Sequence, residues 1–218
     1  MGIARQAASL MLMSWLAHAN ASSTDTLLAN AQSVSFGGAA PEGLAANVDW
    51  LRQDPNHWLI GLGITREDFG GARLSIARVT GGVNWIPAAG ITAIAEAGPA
   101  LEGASHYTFL RQTLEGRATV SKTLQIAVGG QYVEANAART VLMRGGVQWT
   151  VRNNVALGAQ SVIELGPVSY ETYTEGFVGV SVPVSRCLVG LSWDVLNLST
   201  VIRRTTSLTL AVPLQRGV

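Results

Sequence analysis

Few side chains in this chain could serve as a nucleophile, a general base or a soft metal ligand. It carries three histidines and one cysteine. His18 falls in an apolar N-terminal run, His57 follows Asp54-Pro55-Asn56, and His106 stands between Ser105 and Tyr107. A Ser–His pair needs the base within hydrogen-bond reach of the hydroxyl, and a third group to orient it. Neighbours on an extended strand point to opposite faces. Ser105 and His106 are therefore poor partners unless the connection from Gly98 to His106, the longest by this reading, folds back. Metal ligation has no better footing, because His57, His106 and Cys187 lack ligand spacing. Cys187 shares its parity with Val189 and Leu191 and reads as a small hydrophobe. One thiol cannot staple the fold internally. The Gly-Gly pairs at 37–38, 70–71, 81–82, 129–130 and 145–146 open no helices, so they cradle no phosphate. In strands such pairs mark bulges or bends. The residues thus name no catalytic group, no metal and no cofactor.

The elements that hold these residues have to be read from composition and period. Of 218 residues, 48% are hydrophobic and only 13% charged, where soluble domains have about a quarter charged. Among the 15 basic residues only Lys122 is a lysine. Without Arg5 the basic residues equal the 14 acidic ones. A net charge near zero with no basic stripe excludes nucleic acid as a partner. At the N-terminus, Arg5 precedes a short apolar run, Ala7 to Leu16, and then Ala19-Asn20-Ala21. The run is too short to span a bilayer and ends in small residues, which predicts a cleaved signal peptide over 1–21. Ala17-His18-Ala19 is the rival cleavage site. The mature domain is then 22–218, and no later stretch is apolar for long enough to cross a membrane as a helix.

Past residue 24 the period is two. In 57–66, Trp58, Ile60, Leu62 and Ile64 alternate with His57, Gly61, Gly63 and Thr65. In 107–120, Leu110, Leu114, Ala118 and Val120 alternate with Arg111, Thr113, Glu115, Arg117 and Thr119. The segment 123–133 sets Leu124, Ile126 and Val128 against Gln125, Gly129 and Gln131, and 155–165 sets Leu157 and Ile163 against Gln160 and Glu164. Each segment has one greasy face and one small or polar face, the mark of a half-buried strand. Turn residues recur every 10 to 15 positions or so, as membrane strands require. The pattern predicts twelve strands, at 25–36, 43–52, 57–66, 72–85, 90–98, 107–120, 123–133, 138–151, 155–165, 168–183, 186–196 and 200–214. The fold class is all-β, a single antiparallel transmembrane β-barrel; eight to ten strands is the alternative count. An even count puts both termini on one side, the periplasm in bacterial barrels.

Tryptophan separates a membrane barrel from a soluble one. Trp50, Trp58, Trp85 and Trp149 each lie within a few residues of a short turn and on the apolar parity. They predict one outward-facing rim of indoles at the membrane interface. Tyr132, Tyr170 and Trp193 form the expected girdle at the other rim. A soluble periplasmic barrel that binds an apolar ligand would instead scatter its aromatics along a core.

The polar parity is then the lumen. It carries Asp49, Glu96, Glu115, Glu164, Glu171, Glu175 and Asp194, together with Arg73, Arg111, Arg117, Arg144 and Arg203. Mixed signs at close quarters pair with one another rather than form a ring of one sign. The expectation is an ion-paired, water-containing plug, with a narrow polar channel as the sharper alternative.

The stretch from Trp58 to Tyr173 resembles the YaiO family of small outer-membrane barrels. The residues that carry the resemblance are Gly63-Ile-Thr-Arg-Glu-Asp-Phe69, Thr92-Ala-Ile-Ala-Glu-Ala97, Phe109-Leu-Arg-Gln-Thr-Leu114 with Lys122-Thr-Leu124, Gly130-Gln-Tyr132 and Gly145-Gly-Val147. The resemblance implies an outer-membrane barrel similar to those that end exopolysaccharide-export proteins, and it supplies no active-site residues. The expected partners are outer-membrane lipid, the outer-membrane assembly machinery and, through the resemblance, exopolysaccharide or other envelope components. The expected role is a structural or export-associated barrel of a Gram-negative outer membrane, or a narrow pore. The alternative is an outer-membrane enzyme that works on lipid or surface glycan through His106 at the extracellular rim.

Overall fold

The computed structural model describes residues 24–37, 42–85, 89–136, 138–152, 155–166, 170–185, 187–197 and 202–214. The signal peptide and the expected mature start at Ser22 lie outside this set. Twelve strands follow in order: β1 (Thr24–Phe36), β2 (Gly43–Gln53), β3 (Trp58–Phe69), β4 (Ala72–Trp85), β5 (Ala89–Glu102), β6 (Ser105–Thr119), β7 (Leu124–Ala135), β8 (Ala138–Arg152), β9 (Val155–Leu165), β10 (Tyr170–Val184), β11 (Cys187–Asn197) and β12 (Ile202–Leu214). Each pairs antiparallel with its neighbours in sequence, and β1 pairs with β12 to close the barrel. Closure leaves no open strand edge, which is what a membrane-spanning sheet needs. Asp25 lies opposite both Leu214 and Arg52, so the start of β1 and the end of β12 sit at the end that holds the β2–β3 turn. We call that end the lower rim.

Two upper connections are shorter than the sequence suggests. β3 runs on through Arg66-Glu67-Asp68 to Phe69, so the turn is only Gly70-Gly71. Both of these residues take positive φ, +58° and +87°, a backbone that glycine adopts at no steric cost. β5 likewise runs through Gly98 and Pro99 to Glu102, and the expected long loop becomes Gly103-Ala104. Gly98 is tolerated in mid-strand because the neighbouring backbone needs its space: the Ala77 carbonyl oxygen lies 1.9 Å from where a Cβ would stand. The Gly-Gly pairs inside strands do not bulge. The register is unbroken through 81–82, 129–130 and 145–146, and among the described residues a shift occurs only at Thr150/Arg152 in β8.

Alternation sorts the side chains cleanly. Ile60, Leu62 and Ile64 of β3, Ile126 and Val128 of β7, and Val147 and Trp149 of β8 are exposed on the outer face. Asp49, Glu67, Arg78, Glu96, Glu115, Glu175, Asp194 and Arg203 are buried inside. A soluble barrel holding an apolar ligand would have the opposite polarity, so that alternative does not describe this fold. The aromatics divide in the same way. Trp50, Trp58, Trp85, Trp149 and Trp193 point outward, whereas Phe36, Phe69, Phe109 and Phe177 share the inward parity. Indole carries an N–H that favours an interface, and phenyl has none to satisfy. Three of the phenylalanines face a cross-strand glycine, in the pairs Phe69–Gly43, Phe109–Gly98 and Phe177–Gly158.

Candidate functional site

The barrel interior is the site, and it is layered. Its upper layer is apolar. Ile76, Ala100, Phe109, Val133 and Ala135 pack together, with Leu74, Tyr107 and Leu142 against them. Leu142 also touches a second cluster, Val162, Tyr173 and Leu196. Near the lower rim, on the β1–β5 side, Leu28, Leu51, Leu59 and Ile94 form a third. Beside it Asn84, 1% exposed, uses both ends of its amide: Nδ2 donates to Gln53 Oε1 at 3.2 Å, and Oδ1 accepts from Thr92 Oγ1 at 2.9 Å. The Gln53 amide in turn donates to the Asn84 carbonyl at 3.1 Å.

Between the layers lies the charge. Arg78 on β4 is the hub. Its guanidinium meets Asp49 of β2 at 2.5 Å and Glu96 of β5 at 3.1 Å, and donates to Thr65 of β3. Arg111 on β6 holds the other oxygen of Glu96. Lower down, Glu115 is shared between Arg117 on its own strand and Arg144 of β8, the latter at 2.9 Å. Gly63 makes room for the hub, because a Cβ there would stand 1.9 Å from Asp49 Oδ1 and 3.2 Å from the Arg78 guanidinium carbon. Charge-assisted pairs of this kind meet the needs of ions that the barrel has taken out of bulk water. A polar cavity of about 110 Å³ borders this network, and a smaller one of about 20 Å³ lies next to Gln160 and Phe177. Glu115, Arg117 and Arg144 line both cavities, so this trio is the partition between them.

The β9–β12 wall is built differently. Gln160 donates to one oxygen of Glu175, and Arg203 approaches the other at 3.8 Å. Asp194 accepts from Ser192 at 3.5 Å. Glu164 and Glu171 sit opposite each other nearer the upper rim, Glu171 exposed.

Of the charges expected in the lumen, Asp49, Glu96, Arg111, Glu115, Arg117, Arg144, Glu164, Glu175, Asp194 and Arg203 lie on the inward face, and Glu171 lies on the same parity at the rim. Arg73 does not belong with them. It points outward at the upper rim, exposed, and bonds Asp68 at 3.2 Å. The inward arginine of β4 is Arg78, five residues on and of opposite parity. Both faces of β4 mix apolar, small and polar residues, so parity alone was ambiguous there. Glu67 was missed because its segment reads as a turn. Of the expected girdle, Trp50, Trp58, Trp85, Trp149, Tyr132 and Trp193 lie on the outer face, and the Tyr170 side chain lies outside the described set.

The two described histidines lie at opposite rims. His57 is a turn residue, with φ +69° and a carbonyl that accepts from the Asn84 amide at 2.9 Å. His106 lies in β6 rather than in a loop, opposite Leu101, and is exposed on the outward parity, while Ser105 takes the inward one. Among the described residues no group of three or more acidic, histidine or cysteine side chains could hold a metal ion.

No protein-family model matches the chain, and no curated protein matches it. Solved structures do. The KdgM porin in complex with disordered oligogalacturonate aligns with a TM-score of 0.61 at 12% identity, covering 84% of this chain and 97% of that one. The translocator domain of the autotransporter NalP from Neisseria meningitidis gives 0.61 at 9% identity, covering 96% and 95%. The β domain of the Bordetella autotransporter BrkA gives 0.62 at 10% identity, covering 88% and 100%. At such identities the likeness is one of fold: this chain is a closed twelve-stranded barrel of the outer-membrane type.

Proposed function

We propose that this chain is an integral protein of a Gram-negative outer membrane and a narrow pore that rests closed. One observation carries the reading: within a single closed barrel, the outer face is apolar and the charge is inside. Lipid is the solvent that rewards this polarity, since a lipid-facing Arg or Lys near the bilayer midplane costs about 2–4 kcal/mol. The lower rim, with its four tryptophans, the start of β1 and the end of β12, then faces the periplasm. The resemblance to YaiO-type barrels accords with this location. The upper apolar layer and the Glu115 trio hold the passage shut, because an apolar constriction excludes water and paired ions anchor one another. A structural barrel without any conducting state is the runner-up. Oligogalacturonate, present with KdgM, is a polymer of carboxylated sugars; an interior with more carboxylates than guanidiniums disfavours a like-charged polymer here.

The test is fractionation combined with facing. The native protein is expected in the outer-membrane fraction, and recovery in osmotic-shock fluid would end the proposal. Val128 is 68% exposed and faces outward, whereas Gln125 lies inside. Val128→Arg should impair assembly far more than Gln125→Arg, as read by heat-modifiable gel migration. In planar bilayers the wild type should conduct little, and a large steady conductance would refute the closed state.

A further inference from the structure

The cavity of about 110 Å³ beside the charge network has a lining that leaves no ion to spare. Asp49, Glu96 and Glu115 each hold a guanidinium, and Arg78, Arg111, Arg117 and Arg144 each hold a carboxylate. With Glu67, buried on the same wall, carboxylates and guanidiniums there are equal in number. A charged solute would find no free counter-ion, and a buried charge without one is costly. The neutral groups are the ones with capacity left. Asn47 spends an amide N–H on Asp49 at 2.7 Å, and Gln131 spends one on the Thr113 hydroxyl at 3.2 Å. Asn30 spends one on Thr209 at 3.2 Å, and its buried carbonyl oxygen has no hydrogen-bond partner. Each of these amides has an N–H turned to the protein and a carbonyl as the remaining acceptor, and the Thr113 hydroxyl still has its proton to donate. Asn30 and Asn47 are cross-strand partners on β1 and β2, and Thr113 and Gln131 are partners on β6 and β7, five places further round the ring of twelve. The two polar pairs therefore line the cavity from nearly opposite sides. Leu28, Leu51, Leu59 and Ile94, one packed cluster, give the same cavity an apolar wall.

We propose that this cavity binds a small neutral polyol, its hydroxyls donating to the amide carbonyls and its C–H face resting on the leucine and isoleucine wall. A few convergent polar groups set against an apolar wall are what orients a small molecule in its site. A polyol carries both faces and brings no charge for the paired ions to meet. A urea-like amide would match the acceptors but would bury no hydrocarbon against the apolar wall. One water needs roughly 10–15 Å³, so the space takes one solute of about eight to ten non-hydrogen atoms, the size of a four- or five-carbon polyol. The inference rests on the reading of the barrel as a narrow pore, and it names the class of solute which that pore accepts.

The experiment uses the full chain refolded in deuterated detergent micelles, so that it needs neither conductance nor membrane insertion. Saturation-transfer NMR follows three probes of similar size: erythritol, the anion threonate and the cation serinol. Erythritol should bind saturably, and neither ion should displace it. Gln131→Met with Thr113→Val removes both ends of one polar pair, so that neither end is left unmet. This double variant should weaken erythritol binding about tenfold, and Asp68→Asn at the outer rim should leave it unchanged. Heat-modifiable migration reports whether each variant still forms the barrel. Should the double variant not fold, Thr80→Val, which removes one hydroxyl from the lining at nearly constant shape, should weaken binding several-fold. No saturable erythritol binding means a cavity that holds water only and overturns the site. Tighter binding of threonate or of serinol overturns it as well, as does wild-type affinity in the folded double variant or in Thr80→Val. Swelling of proteoliposomes in isosmotic erythritol separates the site from the pore: binding without swelling supports the site and defeats the pore reading.

Discussion

On the β2–β8 wall the inward guanidiniums Arg78, Arg111, Arg117 and Arg144 each touch a carboxylate, whereas on the β9–β12 wall the buried carboxylates also lean on neutral donors, Gln160 for Glu175 and Ser192 for Asp194. The first wall is a linked network: Arg78 spans β2 to β5, and Glu115 ties β6 to β8. The second carries a longer pair, Arg203 to Glu175 at 3.8 Å. The contrast teaches that buried charge can be met in two ways within one barrel. A network of shared ions rigidifies the wall that carries it. Single carboxylates held by neutral donors tie fewer strands together.

The largest test is removal of the hub. Arg78→Leu strips Asp49 and Glu96 of a shared cation, and breaking a buried pair costs about 3–5 kcal/mol. Arg203→Leu should cost less, because its pair with Glu175 is long, at 3.8 Å, and Gln160 also holds that carboxylate. Urea unfolding in micelles reads both, and equal losses would erase the distinction between the walls. Next in size is the partition. Arg111→Ala with Arg117→Ala frees Glu96 and Glu115 from one partner each and shortens two side chains that fill the interior. Bilayer current should rise above the wild-type level and favour cations, as a reversal potential in a KCl gradient would show. An anion-selective or unchanged trace would contradict the network as the closing element. Gly63→Ala should have a moderate effect, about 1–3 kcal/mol for overpacking, since the new methyl displaces Asp49 from Arg78. The smallest effects should differ in sign. Thr92→Val removes the donor to Asn84 and should cost about 1–2 kcal/mol. Ser207→Ala deletes a buried hydroxyl with no partner and should be neutral or stabilising by less than about 1 kcal/mol. Matching losses in these two variants would mean that the walls are equally satisfied.

Much of this was legible before any coordinates. Alternation with period two located all twelve strands, because a strand with one face in lipid and one in a polar interior has to alternate. It also put Trp58, Trp85 and Trp149 on the outside and Glu96, Glu115 and Arg144 on the inside. It failed where the two faces are alike. On β4 neither face is distinctly apolar, so parity does not separate Arg73 from Arg78, and at Glu67-Asp68 the charges read as a turn whereas they end a strand.

By itself, then, the sequence determined the strand positions and the facing of most side chains, since each follows from local period and covalent neighbourhood. Only the tertiary structure decided which charges meet. Arg78 finds Asp49 29 residues away and Arg203 approaches Glu175 across two strand boundaries. Such partners are chosen by interstrand register and by reach across the lumen. It also decided that the lumen has apolar layers above and below its charge, because the height of a residue in the barrel depends on the stagger of all twelve strands, and no single strand encodes that stagger.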